Sequence, residues 1–124
     1  MAEFNFKVFR NAGKRFGSYT ISISKNYAFG FNSGFYHREK IKDCKSALLA
    51  YDQEKKAVGF FFPTNDTPEP GIFKVIHGKS SGSIVAHSFF KSYNIDLQKN
   101  AGRYTPTLYK QTEKGKLFYI TLKG

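Results

Sequence analysis

The stretch YTISISKNYAFGFNSGFYHREK, residues 19–40, holds the change of period that decides the fold. In its first part Ile21 and Ile23 alternate with Thr20, Ser22 and Ser24, the two-residue repeat of a strand with one buried face. Lys25-Asn26 marks a turn. Tyr27, Phe29 and Phe31 then share one face, with Ala28 and Gly30 on the other, so a hairpin is expected. Small residues behind large ones leave only one face able to pack heavily, which places these rings in a core rather than on an exposed stacking surface. Past Phe31 the repeat lengthens. Ser33 reads as an N-cap and GFYHREKIKDCK as a short basic helix that turns Phe35 and Ile41 inward.

Working outward, ALLAY (47–51) and AVGFFF (57–62) flank the polar turn DQEKK as a second hairpin. The segment PTNDTPEPG, residues 63–71, carries three of the four prolines. No central strand tolerates that, so it reads as a loop or a joint. IFKVIHG (72–78) reads as a strand, KSSGS as a turn and IVAH as a further strand. Ser88 then caps a second short helix, FFKSYNI. YTPTLY (104–109) and KLFYITL (116–122) form a last hairpin.

Strand, short helix and hairpin therefore occur in that order twice. Ser33 and Phe35 precede Ser88 and Phe90 by 55 residues; Tyr51, Lys56, Phe60 and Phe61 precede Tyr109, Lys114, Phe118 and Tyr119 by 58. A chain with 14 Phe and 8 Tyr also produces such matches by chance. The expected fold is α+β, mostly antiparallel strands in hairpins with two short helices. It forms one compact domain, 1–124, with pseudo-repeats 14–62 and 72–122 joined by the Pro-rich 63–71.

A chain of 124 residues at 40% hydrophobic is long enough for one core. Its net charge of +11 points to a polyanionic partner, nucleic acid before membrane. That charge is segregated: residues 1–45 carry a net +6, residues 46–69 a net −2 and residues 70–124 a net +7. The single cysteine, Cys44, excludes an internal disulfide, and no apolar run has the length of a signal peptide or a membrane span. A soluble, cytoplasmic protein with no membrane partner is expected.

Signals for catalysis are poor. His37, His77 and His87 are scattered, without metal-ligand spacing. GKSSGS (78–83) lacks both the glycine spacing and the following helix of a phosphate-binding loop. Asp52 and Glu54 belong to a turn. No catalytic residue, metal or cofactor is expected. The candidate binding residues are cations beside turns and short helices: Lys14 and Arg15 in the Gly-flanked NAGKRFGS, Lys25 at a hairpin tip, Arg38, Lys40 and Lys42 on or near the first helix, and Arg103 in the second basic block. Such cations reach phosphates, and arginine also reads guanine edges.

Residues 19–62, a strand pair, a short helix ending in REKIKDCK and then ALLAYDQEKKAVGFFF, resemble the swapped-hairpin SpoVT/AbrB-type DNA-binding domains. GSIVAHSFFKSYNID to GKLFYITL has the same outline. The resemblance implies duplex DNA binding through Lys25, Arg38 and Lys40, with Lys91 in the second half. It also implies that one chain makes the pseudo-dimer that two chains usually make, although a homodimer is the other arrangement open to it. The leading expectation is thus a non-enzymatic, DNA-binding regulator of transcription. The alternatives are a single-strand RNA or DNA binder that stacks bases on sheet aromatics, and an accessory module for acidic protein partners.

Overall fold

The computed structural model describes residues 19–63 and 72–123, which form an α+β fold dominated by two antiparallel sheets. The first four strands are β1 (Ile21–Ser24), β2 (Ala28–Phe31), β3 (Ser46–Asp52) and β4 (Ala57–Pro63). They are followed by β5 (Phe73–Lys74), β6 (Ile76–His77), β7 (Gly82–Val85), β8 (Gly102–Tyr104), β9 (Thr107–Thr112) and β10 (Gly115–Thr121). One sheet has the order β6-β7-β2-β1-β8 and the other β5-β3-β4-β10-β9. Helix α1 (Ser33–Arg38) follows β2, α2 (His87–Ser92) follows β7, and α3 (Leu97–Asn100) precedes β8.

The alternation is realised in β1 and β2, but Tyr27, expected on the same strand face, lies in the turn with a left-handed backbone (φ 59°) and is only half-buried. Ile21, Ile23, Phe29 and Phe31 are buried, Phe29 and Phe31 with 0% of their surface exposed. They face Val58, Phe60, Phe118 and Ile120 of the second sheet, also buried. Ring contacts carry much of this core: Phe29 meets Phe60 edge-on at 4.9 Å and stacks on Phe90 at 4.7 Å, while Phe35 meets Phe118 at 5.0 Å. Each such pair adds about 0.5–1.5 kcal/mol beyond the area it buries.

Both helix starts differ from expectation by one or two residues. Asn32, not Ser33, precedes α1, and its carbonyl accepts from the Tyr36 N–H at 2.8 Å. The Asn32 amide is turned instead to the Thr20 hydroxyl. Ala86, not Ser88, precedes α2, because its own N–H still closes the sheet by donating to the Tyr27 carbonyl at 2.8 Å. The expected basic helix also divides. It ends at Arg38, Lys40 adopts the left-handed conformation (φ 56°), and one 3-10 turn, Ile41–Asp43, buries Ile41.

Two expected strands divide as well, each where the chain crosses between sheets. β5 pairs with β3 and β6 with β7; between them Val75 is buried and its N–H donates to the Lys45 carbonyl at 2.9 Å. β8 pairs with β1 and β9 with β10, and Pro106 between them has no N–H with which to continue a ladder. The third helix, α3, is an addition to the two expected. Asp96 caps it, accepting from the N–H groups of Gln98 and Lys99 at 2.9 and 3.3 Å.

Both hairpins of the second sheet form. The tighter of the two depends on Gly115, at φ 152°, where an added Cβ would lie 2.2 Å from the Phe62 carbonyl oxygen. Gly115→Ala is therefore expected to cost at least about 2 kcal/mol, read from urea midpoints. A loss below about 0.5 kcal/mol would show that the β9–β10 turn can relax.

The strand orders have a symmetry. Exchanging β1 with β6, β2 with β7, β3 with β9 and β4 with β10 returns β6-β7-β2-β1 and β3-β4-β10-β9 read backwards. The helices follow suit at an interval of 54 residues. Tyr36, Glu39 and Lys40 donate to Asn32, Phe35 and His37; Phe90, Tyr93 and Asn94 donate to Ala86, Phe89 and Lys91. Lys40 and Asn94 are both left-handed (φ 56° and 51°).

Candidate nucleic-acid interface

β2 and β7 lie side by side at the centre of the first sheet and run in opposite directions, with Ala28 opposite Val85 and Phe31 opposite Gly82. The helix that follows each therefore leaves at a different end, roughly 10 Å apart along the strands. Each end gathers cations around one helix and one hairpin turn, and the turn belongs to the other half of the chain.

At the Ala28 end, α2 faces the β1–β2 turn. The Tyr27 ring stacks on His87 at 4.5 Å and meets Phe90 edge-on at 6.3 Å. The Lys91 ammonium lies 5.8 Å from the Tyr27 ring centre, and Lys25 stands exposed in the same turn. Lys25 and Lys91, one from each basic segment, thus share a lobe.

At the Phe31 end, α1 faces the turn between β6 and β7, which carries exposed Lys79. His77, just before that turn, pins it. Its Nε2 lies 2.8 Å from the Cys44 carbonyl, which can only accept, so in the neutral ring Nε2 carries the proton. Nδ1 then accepts from the Tyr36 hydroxyl, also at 2.8 Å. Arg38 sits 5.3 Å above the Tyr19 ring, with Lys40 and Lys42 exposed beyond it. The Tyr19 hydroxyl donates to Glu39 at 2.6 Å, and the Lys116 ammonium reaches the other Glu39 oxygen at 3.3 Å.

The cations of the two blocks are therefore brought together in two lobes, not in one patch. Arg103 belongs to neither. It stands exposed on edge strand β8 opposite Ser22, on the outer face of the first sheet. Lys14 and Arg15 lie outside the described residues. Lys79 joins the lobe without having been among the sequence candidates; a lysine in the turn KSSGS, like Lys25 in its hairpin turn, is the signal that marks it.

Asp43 stands exposed beside Lys42, but other acids are engaged. The Asp52 carboxylate accepts from the N–H groups of Glu54 and Lys55, Asp96 caps α3, and Glu39 is held by Tyr19 and Lys116. Burial, then Asp43, pushes the Cys44 thiol up, away from the thiolate a nucleophile needs. Among the described residues no three of His, Cys, Asp or Glu form a group able to hold a metal ion, and no helix is long and apolar enough to cross a membrane.

The Tyr19 hydroxyl is held well above the usual tyrosine range by burial first and then by its bond to Glu39; burial also raises Tyr104. Both hydroxyls ionise less readily folded than unfolded. Their contribution is complete below about pH 10, the unfolded value, and is lost as pH climbs through the folded ones. The difference in urea midpoint between wild type and Tyr19→Phe is expected to be constant from pH 7 to 9 and to shrink above pH 10. A difference independent of pH up to 11.5 would contradict this.

The chain matches no protein-family model, no curated protein and no solved structure.

Proposed function

We propose that this is a non-catalytic DNA-binding protein, acting as a regulator of transcription, whose halves are copies of one unit and whose two basic lobes grip one duplex. The observation that carries the reading is the make-up of the lobes. Each joins a helix of one half to a turn of the other and draws exposed cations from both basic segments, while the neighbouring acids Glu39 and Asp96 are engaged internally. Exposed Lys and Arg beside rigid turns suit a phosphate backbone.

The registers support the two-copy reading. An antiparallel pair has a local two-fold axis at each directly opposed residue pair. The second sheet's offset of 58 places Phe60 opposite Phe118, a directly opposed pair, while the helices beside the first sheet repeat at 54. The arrangement accords with the swapped-hairpin resemblance.

The strand ends at which the two lobes are built are roughly 10 Å apart along β2 and β7, less than one helical turn of duplex, about 34 Å. On a duplex selected from a random pool, ethylation interference is expected to reveal two phosphate groups placed symmetrically about one base pair. Lys25→Ala with Lys91→Ala should remove one group, and Arg38→Ala with Lys42→Ala the other. Contacts confined to one side, or untouched by both pairs of substitutions, would contradict the proposal.

A further inference from the structure

The outer face of the second sheet holds a trough that the lobes do not use. Its floor is Ala50, Ala57 and Gly59, and its volume is about 530 Å³. Tyr109 and Tyr119 rise on one side and the β3–β4 turn, with Asp52 and Lys55, on the other; the Asp52 carboxylate is turned to the N–H groups of Glu54 and Lys55. Tyr109 is there because of a bulge. Leu117 of β10 faces Lys110 and Phe118 faces Leu108, so Tyr109 is the extra residue of β9. Bulges re-aim side chains in this way beside binding sites. Tyr109 is 71% exposed and meets Tyr119 edge-on at 6.1 Å, which leaves ring surface open to a ligand.

We infer that this trough is a binding site for unpaired bases of a single-stranded nucleic acid, a base stacking on Tyr109 or Tyr119 while its phosphates meet Lys55 and Lys110. The inference rests on the polyanion reading above but not on the duplex grip. Three observations favour this occupant. The volume suits a nucleotide-sized group, and Ala50, Ala57 and Gly59 leave room for a flat ring beside Leu117. Tyrosine faces beside cations are the usual means of holding single strands without sequence preference. A second copy is disfavoured by the net +11 charge, and the bulge with Lys110 mid-strand protects the β9 edge from self-pairing.

Gly59 supplies a second means of testing it. An added Cβ there meets Leu117 at 3.4 Å and Ala50 at 3.5 Å (Cβ) and 3.9 Å (carbonyl oxygen), ordinary contacts, so a longer side chain fills the trough. The full chain, Tyr109→Ala and Gly59→Leu would be titrated by fluorescence anisotropy against labelled oligo-dT, oligo-U and a duplex, with thermal midpoints recorded for each protein. Oligomer affinity is expected to fall about 10- to 100-fold in both variants, with duplex affinity within about twofold of wild type and Tyr109→Ala melting as wild type does. Should Gly59→Leu fail to fold, Tyr109→Ala decides alone. Unchanged oligomer affinity overturns the inference, as does competition by free thymidine monophosphate equal to that of the oligomer at the same nucleotide concentration. A wild type that binds duplex but no oligomer overturns this inference alone; one that binds neither overturns the polyanion reading with it.

Discussion

Phe29→Ala is expected to lower the unfolding free energy by about 3–5 kcal/mol, the usual cost of deleting a core phenyl group. Phe29 is wholly buried and touches Phe60, Phe89 and Phe90, so its removal opens a cavity at the junction of both sheets and α2. A domain of this size has roughly 5–15 kcal/mol in all, so the variant would sit close to its unfolding threshold. Urea denaturation is the measurement, and the midpoint should fall while the slope stays the same. Tyr27→Ala is the control. Its ring is half-buried, packs against His87 and Phe90, and should cost clearly less. Phe29→Ala at wild-type stability would mean that this ring is not the centre of the core.

The outcome at Phe29 follows from what residues 19–31 disclosed unaided. A strict two-residue alternation with Ala28 and Gly30 behind the rings permits one buried face, and the structure uses it. AVGFFF is less legible, because a run of apolar residues does not say which face is inside. Phe60 and Phe62 are buried whereas Phe61 faces outward, a choice made by pairing with β10. Long-range registers decide the rest. Val75 is a crossing point only because the strands it joins belong to different sheets, and no local pattern marks that. Pro106, by contrast, was marked in the sequence, since a proline breaks a strand ladder. The short α3 did leave a signal in Asp96 ahead of Leu97-Gln98-Lys99, since an aspartate is a strong cap.

The candidate sites divide in the same way. Lys25, Arg38, Lys40 and Lys42 were visible as cations beside turns and helix ends, but the company they keep was not. Lys91 reaches Tyr27 because β7 pairs with β2, and Lys79 faces α1 for the same reason. Tyr109 was the hardest to foresee. It lies on β9, an edge strand exposed along its whole length, and the bulge that sets its direction comes from how β9 is matched to β10.

Electrostatic grip gives the largest expected effect of all. If the two lobes neutralise about 5 phosphates, the logarithm of the association constant should fall with the logarithm of salt at a slope near −4 to −5. Between 50 and 200 mM salt that is a loss of several hundred-fold, because each neutralised phosphate releases condensed counterions whose return becomes easier as salt rises. Removing Lys25 and Lys91 together should make the slope shallower by about 2, and the same holds for Arg38 and Lys42. Exposed side chains of this kind can be changed with little effect on folding, so the slope reports binding alone.

A gel-shift titration of the full chain on duplex DNA across that salt range is the most direct measurement. Micromolar or tighter binding at 50 mM salt, weakened several hundred-fold at 200 mM, is the predicted result. Binding that is absent at 50 mM, or equally strong at both concentrations, would contradict it.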